Sequence, residues 1–494
     1  MSSKILEELK HFINGKFEDS ENKDRFSFLN PSNNEVIGNI PVGCKEDVDK
    51  AVIAANRSFK NLWSKMPISK RSDLIYDISR LIMKYSHELS YIEAINTGIP
   101  ITQVRAQIER AAENFKFFAE IADKVLGEAY VFDDKFINYA IRQPIGVAAL
   151  ITPWNTPLML ETWKIAPCIA TGNTCILKPA EWTPLSANKL ALIIHEAGIP
   201  EGVLNIVHGI GEVSGAELVA HPGVKLVSFT GETVTGMEIM RNGASTLKRY
   251  SMELGGKNPA IVFSDADLKR ALDAVVFMAY SLNGERCTSN SRVLIEEKIY
   301  DDFIEMIHER IKRIKIGDPL DETTELGPLV RPEHWDRVKK YINIGIEEGA
   351  KLVYGGERPE RFKSGNYLMP TLFKDCSKEM KIAREEIFGP VLIAMKFRSE
   401  NEAIDISNDT IYGLTAYIWT KDIERANRIA KELECGMIWI NSHSVRDLRT
   451  PFGGAKYSGI GREGGRFSFD FYTEWKTIQV ALGTHKIPTF GLNR

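Results

Sequence analysis

Asn283-Gly284-Glu285-Arg286-Cys287-Thr288-Ser289 sets a single cysteine between a flexible glycine and small hydroxyl residues. No second cysteine lies close enough in sequence to pair with it, so the thiol reads as a nucleophile. A free thiol attacks only as thiolate, and an intrinsic pKa of about 8.5 makes it depend on a positive environment or a neighbouring base. The segment Met252-Glu253-Leu254-Gly255-Gly256-Lys257 supplies a candidate base in Glu253, read as a carboxylate free to swing on a bare-backbone turn. It stands 287 − 253 = 34 residues before the thiol. Either piece alone is also what a buried free cysteine or an ordinary loop glutamate looks like; the conjunction carries the reading.

Outward from these two segments, short apolar runs alternate with helical stretches: 146–151, 174–177, 203–207, 225–229, 260–263, 292–295, 391–397 and 437–440. Such alternation predicts an α/β fold of mainly parallel sheets covered by helices on both faces. The strand over 225–229 runs into Thr230-Gly231-Glu232-Thr233-Val234-Thr235-Gly236 and a helix. Backbone N–H groups and a helix dipole there suit a pyrophosphate, although the spacing is not Gly-x-Gly-x-x-Gly and a plain surface turn fits as well.

The first ~130 residues read mostly helical. Val48, Ala51, Val52, Ala55 and Phe59 form one stripe, and Leu74, Ile75, Ile78, Leu81 and Ile82 a second. A third helix between Pro100 and Gly127 turns Val104, Ile108, Ala111, Ala112, Phe115 and Phe118 inward and leaves Arg105 beside that face. Residues 136–142 and 475–482 switch to strand-like alternation, and isolated strands of this kind need a sheet to join, which a partner subunit could supply. No linker rich in proline, glycine or serine separates the halves, and no internal repeat appears.

The 494 residues allow two to four domains, and 44% hydrophobic residues are ample for real cores. A net charge of −3 gives no electrostatic reason to expect nucleic acid or an anionic membrane as partner. Six scattered cysteines (44, 168, 175, 287, 376 and 435) lack metal-ligand spacing, so no metal is expected and a reducing, cytoplasmic setting is. Charges occupy the opening ten residues where a signal peptide needs an apolar core, and no later run is apolar enough to span a bilayer.

Further segments join the pattern: Thr152-Pro153-Trp154-Asn155, Lys178-Pro179-Ala180-Glu181, Glu385-Glu386-Ile387-Phe388-Gly389-Pro390 and Pro451-Phe452-Gly453-Gly454. In this order, with the glutamate and cysteine motifs, they resemble the aldehyde dehydrogenase superfamily along essentially the whole chain. The resemblance implies Cys287 as nucleophile, Glu253 as general base for deacylation, and Asn155 as an oxyanion donor with the backbone N–H of Cys287; Lys178 is grouped with them. It implies NAD as cofactor, with Lys178 and Glu181 on the adenosine ribose and Glu386 on the nicotinamide ribose. Phe388 would lie at the nicotinamide end, Gly231 and Gly236 would flank the pyrophosphate turn, and Thr152, Trp154, Phe229 and Leu254 complete the site. A carboxylate at Glu181 accepts from ribose hydroxyls and repels a 2′-phosphate, which favours NAD over NADP. Glu232 departs from the family pattern, since an acid so near a pyrophosphate repels it unless it points away.

The runs Trp154-Asn155-Thr156-Pro157, Trp163-Lys164-Ile165-Ala166-Pro167 and Ser444-Val445-Arg446-Asp447-Leu448-Arg449-Thr450-Pro451-Phe452 are most similar to the muconate semialdehyde dehydrogenase branch of aromatic catabolism. That branch implies a small carboxylate-bearing semialdehyde as substrate, oxidised to the acid through a cysteine thioester, with Arg105, Trp163, Arg449 and Phe452 contacting it. Betaine-aldehyde or broad-specificity oxidation, a coenzyme-A-acylating relative and a non-catalytic NAD-binding or structural protein remain as alternatives. The implied architecture is a Rossmann-like cofactor domain over 1–124 and 145–254 and a second α/β catalytic domain over 255–465. A small oligomerisation arm over 125–144 and 466–494 would build a homodimer or homotetramer.

Overall fold

A computed structural model describes residues 7–125 and 127–491, with backbone alone at 131–133. Its largest sheet has eight strands in the order Gly459–Ile460, Arg249–Glu253, Val224–Thr230, Val147–Ile151, Thr174–Lys178, Leu204–Ile206, His11–Ile13, Lys16–Glu18. The five from Arg249–Glu253 to Leu204–Ile206 run parallel. From Val147–Ile151 the chain winds one way through Thr174–Lys178 to Leu204–Ile206, then crosses back to add Val224–Thr230 and Arg249–Glu253 on the other side. The order therefore reverses between Val147–Ile151 and Val224–Thr230, and a ligand crevice is expected beyond the carboxyl ends of those two strands. Fully buried strands such as Val-Ala-Ala-Leu-Ile at 147–151 follow from helices lying on both faces.

One of those faces carries the helices Ile68–Lys84, Ile101–Ile121, Pro157–Ala170 and Leu185–Glu196. The inward residues expected of the third helix are all buried. The other face packs under Lys45–Asn61, Ala216–Ala220 and Thr233–Gly243. A second sheet of seven strands, in the order Lys351–Tyr354, Thr371–Lys374, Val391–Phe397, Arg292–Glu296, Pro259–Val262, Thr415–Trp419, Met437–Ile440, is parallel except for its first strand and is likewise covered on both faces.

Three features depart from the sequence reading. The amino-terminal region is not mainly helical throughout, since five strands of two to six residues occupy 7–41 before the first helix; such short strands carry too little period to be seen. Glu253 does not sit on a turn: it ends the strand Arg249–Glu253, paired with Thr230 on one side and Gly459 on the other. The helix Gly465–Tyr472, grouped by sequence with the arm, buries Phe469 and Tyr472 in the first core.

The alternating stretches near 136–142 and 475–482 pair with each other. Phe136–Pro144 and Thr473–Ala481 form one antiparallel ladder from Thr473↔Pro144 to Ala481↔Phe136, with Glu128–Asp133 as a third strand. Among the described residues no helix is long and apolar enough to cross a membrane.

Candidate active site

Cys287 follows the helix Leu268–Tyr280 through a backbone reversal in which Leu282, Asn283 and Gly284 take φ of 51°, 57° and 71°. Left-handed conformations disfavour a residue such as leucine, at roughly 1–3 kcal/mol each, and persist only where surroundings dictate them. Asn283, fully buried, does so: its Nδ2 donates to the carbonyls of Gly98 and Pro328 at 3.0 Å, and its Oδ1 accepts from Gly327 N–H at 2.8 Å. A Cβ on Gly284 would stand 2.4 Å from the Gly389 carbonyl, so glycine lets the nucleophile loop press against the segment carrying Glu386 and Phe388.

Neighbouring side chains then fix the thiol. Asn258, at the head of the facing strand, donates through Nδ2 to the carbonyls of Cys287 and Ser289, both at 2.7 Å. Asn155 Nδ2 donates to the Glu285 carbonyl at 2.8 Å. A primary amide has two N–H groups, so one anchors Asn155 to the Cys287 loop and the second has no partner among the described residues. Burial pushes the Cys287 thiol up to about 12, with the carboxylates of Glu386 and Glu253 adding to the shift and Arg286 opposing it.

Glu253 is buried, with one carboxylate oxygen lacking a hydrogen bond among the described residues. Burial, reinforced by the charge of Glu463, holds its carboxyl well above the usual range, which makes it a stronger base once ionised. The glycines after it have neither turn role nor positive φ. A Cβ on Gly255 would lie 2.3 Å from Glu386 Oε2, and one on Gly256 2.7 Å from the Cys287 carbonyl. Their function is close approach of three segments.

Residues implied for the cofactor gather around the reversal point of the first sheet. Thr152 and Trp154 follow one of the two central strands, and Thr230 and Gly231 end the other. The buried hydroxyls of Thr152 and Thr230 both lack partners among the described residues. Phe229 and Leu254 lie directly against the two glycines: a Cβ on Gly231 would come 2.3 Å from the Phe229 ring, and one on Gly236 2.7 Å from Leu254. Glu232 is exposed and lies 3.9 Å from Arg337, which itself donates to the carbonyls of Glu386 and Ile387. Lys178, grouped by sequence with both catalytic and cofactor residues, commits its ammonium to Glu181 at 2.8 Å. Glu386 accepts from Gly256 N–H at 2.9 Å, and burial raises its carboxyl to about 7. Phe388, at φ 62°, packs edge-on to Trp154, with ring centroids 5.2 Å apart. Orphaned hydroxyls, close-set glycines and a carboxylate aimed at the crevice fit a dinucleotide.

Cys287, Glu253 and Asn155, the three residues expected to be catalytic, line one cavity of about 80 Å³ together with Trp163 and Phe452. Arg105 and Arg449 do not belong to it, which corrects the expectation placed on them. Arg105 is held bidentate by Glu322 on the outer surface at 2.6 and 2.8 Å, and Arg449 by Asp447. The reason is helical phase: Gln107 and Arg110, three residues apart, share the cavity side, whereas Arg105 lies two residues before Gln107, about 200° round the helix. The cationic lining comes instead from Arg110, Arg286 and Arg446. Arg446 is stacked between Trp163 and Phe452, its guanidinium carbon 3.9 and 4.1 Å from the ring centroids. Counting the helix phase of Arg110 from its apolar neighbours could have found it; Arg446 lies in a loop and left no periodic signal.

Behind the cavity, Lys164 is fully buried and pairs with Glu463 at 3.0 Å while donating to Ser228 at 2.8 Å. Trp163 Nε1 donates to the other oxygen of Glu463.

Comparison with known proteins agrees with this geometry. Residues 17–478 match the model of the aldehyde dehydrogenase family. The chain is 45% identical over 469 residues to 5-carboxymethyl-2-hydroxymuconate semialdehyde dehydrogenase of Escherichia coli, covering 94% of this chain and 99% of that one. It is 43% identical over 473 residues to betaine aldehyde dehydrogenase of Bacillus subtilis, covering 94% and 96%. Among solved structures, HpcC from Thermus thermophilus superposes with a TM-score of 0.97 at 51% identity, covering 99% of this chain and 96% of that one. Betaine aldehyde dehydrogenase from Staphylococcus aureus, solved with NAD+, gives 0.95 at 36%, covering 98% and 99%. With its sequence matching the family model over most of its length and its fold superposing on solved members, this chain belongs to the aldehyde dehydrogenase family.

Proposed function

We propose that the protein oxidises a semialdehyde bearing a carboxylate, of the kind named for the E. coli relative, to the corresponding acid with NAD as hydride acceptor. Cys287 adds to the aldehyde carbon, and the Asn155 amide and the Cys287 N–H stabilise the resulting oxyanion; one such donor contributes about 2.7–4 kcal/mol to the transition state. NAD, when bound, would supply the hydride acceptor, and loss of hydride from the adduct would leave the acyl group as a thioester on Cys287. Glu253 then takes a proton from water, which attacks the thioester and releases acid and thiol. Thr152, Trp154, Phe229, Gly231, Gly236 and Leu254 would hold the cofactor's phosphate region, Lys178 and Glu181 its adenosine ribose, and Glu386 and Phe388 its nicotinamide end. Catalytic work thus falls to Cys287, Glu253 and Asn155, with Lys178 on the cofactor side.

The observation that carries the substrate class is the presence of Arg110 and Arg446 in the same cavity as Cys287. A guanidinium grips carboxylate through two parallel hydrogen bonds, fixing direction as well as charge. Trp163 and Phe452 hold the Arg446 plane from both sides. The same charges argue against betaine aldehyde, whose fixed cation they repel. Exposed Ile137, Ile141, Trp475, Val480 and Leu482 on the small sheet support its role in a homodimer or homotetramer, and cytoplasmic residence suits six free cysteines.

The test is a substrate panel read by reduced-nicotinamide absorbance: semialdehydes with a carboxylate, neutral aldehydes of equal length, and betaine aldehyde. The acids should give the highest kcat/KM, and Arg446→Ala should raise their KM by the roughly 1.5–3 kcal/mol of a charge-assisted hydrogen bond. Equal kcat/KM for acids and neutral aldehydes, or betaine aldehyde as the best substrate, contradicts the reading.

A further inference from the structure

The helix Pro332–Glu347 turns one face to the segment that carries Glu386 and Phe388. Its side chains His334, Arg337 and Tyr341 follow at spacings of three and four residues, which brings them to the same side. Three successive carbonyls are taken in turn: Arg337 donates to those of Glu386 at 3.0 Å and Ile387 at 2.6 Å, and the His334 ring to that of Phe388 at 2.7 Å. Tyr341 Oη donates to the Glu385 carboxylate at 2.7 Å. A carbonyl only accepts, so the ring proton of His334 sits on Nε2. Burial keeps that ring neutral, with its pKa lowered to about 3. Val338 and Ile342, buried in the second core, hold the helix itself. Phe388 has φ 62°, a left-handed conformation that a residue with a side chain keeps only where its surroundings impose it. The His334 ring also lies edge-on to Trp154, with centroids 4.9 Å apart, and Trp154 in turn packs on Phe388.

Resting on the cofactor placement proposed above, which puts Phe388 at the nicotinamide end, we infer that His334 is a positioning residue for hydride transfer. Its N–H fixes the Phe388 carbonyl, and with it the left-handed turn that sets where the phenyl ring stands against Trp154. Arg337 secures the two preceding peptides, whereas His334 acts at the left-handed residue itself and packs on Trp154 from the far side of the crevice. Without that donor the Phe388 carbonyl loses its partner, the turn relaxes, and the nicotinamide loses one wall of its seat. Lys178 and Glu181, at the adenosine end in the same placement, are untouched. The deficit therefore falls on the transfer step and not on cofactor binding.

The experiment follows reduced-nicotinamide formation in a single turnover, enzyme in excess of a semialdehyde carrying hydrogen or deuterium at the aldehyde carbon, with the Kd for NAD measured by titration. Wild type is compared with His334→Phe, which keeps a ring against Trp154 and removes the donor, His334→Gln, which keeps an N–H donor without the ring, and Phe388→Ala. His334→Phe should slow the turnover by roughly ten- to a hundredfold, with a full deuterium isotope effect and a Kd for NAD close to wild type. His334→Gln should recover most of the rate. His334→Leu, smaller and equally without a donor, repeats the test if His334→Phe does not fold. A wild-type rate in His334→Phe, or a slow rate without an isotope effect, makes the histidine a support of the fold and overturns the inference. So does His334→Gln as slow as His334→Phe, which would assign the effect to ring packing. If Phe388→Ala is slowed while His334→Phe is not, the cofactor placement stands and His334 alone is misassigned. Phe388→Ala indistinguishable from wild type removes the placement itself.

Discussion

At the residue scale, burial sets the chemistry. The Cys287 thiol and the Glu253 carboxyl are both held towards their neutral forms, so neither is a charged group awaiting substrate. Ligand and water entering the cavity must bring the polarity that lets each ionise. Cofactor choice is also a single-residue matter. Glu181 sits partly exposed with one oxygen on Lys178; in the cofactor placement proposed above, the other would accept from ribose hydroxyls and repel a 2′-phosphate. Glu181→Ser should raise kcat/KM with NADP relative to NAD by at least about tenfold, the equivalent of roughly 1.4 kcal/mol of lost repulsion. An unchanged ratio in steady-state assays would place the adenosine ribose elsewhere.

At the scale of elements, the reversal over Leu282, Asn283 and Gly284 and the bonds that enforce it decide where the thiol stands. Removing the Asn283 amide leaves two buried carbonyls and one N–H unpaired, each worth roughly 1–3 kcal/mol. Asn283→Ala should therefore lower the denaturation midpoint and reduce kcat while leaving the Kd for NAD close to wild type. A kcat equal to wild type would show that the loop keeps its form without this anchor. Much at this scale was legible in sequence. The eight strands chosen as apolar runs fall within a residue or two of those observed, whereas Arg249–Glu253, Thr371–Lys374 and Thr415–Trp419 were not picked out; Cys287, Glu253 and Asn155 stood out in motifs that the fold brings to one cavity. Glu253 was misplaced on a turn because Gly255 and Gly256 suggest flexibility, when they serve close packing instead. Arg105 and Arg449 were misread because a charge beside an apolar stripe, or beside a loop motif, does not state which way it faces; only packing separates them from Arg110 and Arg446.

For the whole molecule, the two α/β halves are tied by chain that returns. Gly459–Ile460 adds an edge strand to the first sheet beside Arg249–Glu253. Three residues on, Glu463 meets Lys164 beneath the substrate cavity. Breaking a buried pair by deleting one partner costs about 3–5 kcal/mol, so Lys164→Met should shift the urea midpoint down by that equivalent. Lys164→Met combined with Glu463→Leu should recover a large part of it, and a single variant as stable as wild type would mean that the halves are held by apolar contact alone.

In the proposed reaction, oxidation passes through a thioester on Cys287 that Glu253 clears by activating water. The most direct measurement is the intact mass of Glu253→Gln after mixing with NAD and a carboxylate-bearing semialdehyde, with peptide mapping of the product. One rapid equivalent of reduced cofactor, slow turnover thereafter, and a mass increase equal to the acyl group confined to the peptide containing Cys287 are expected. Unmodified protein with no burst and an undiminished steady-state rate would contradict that reaction.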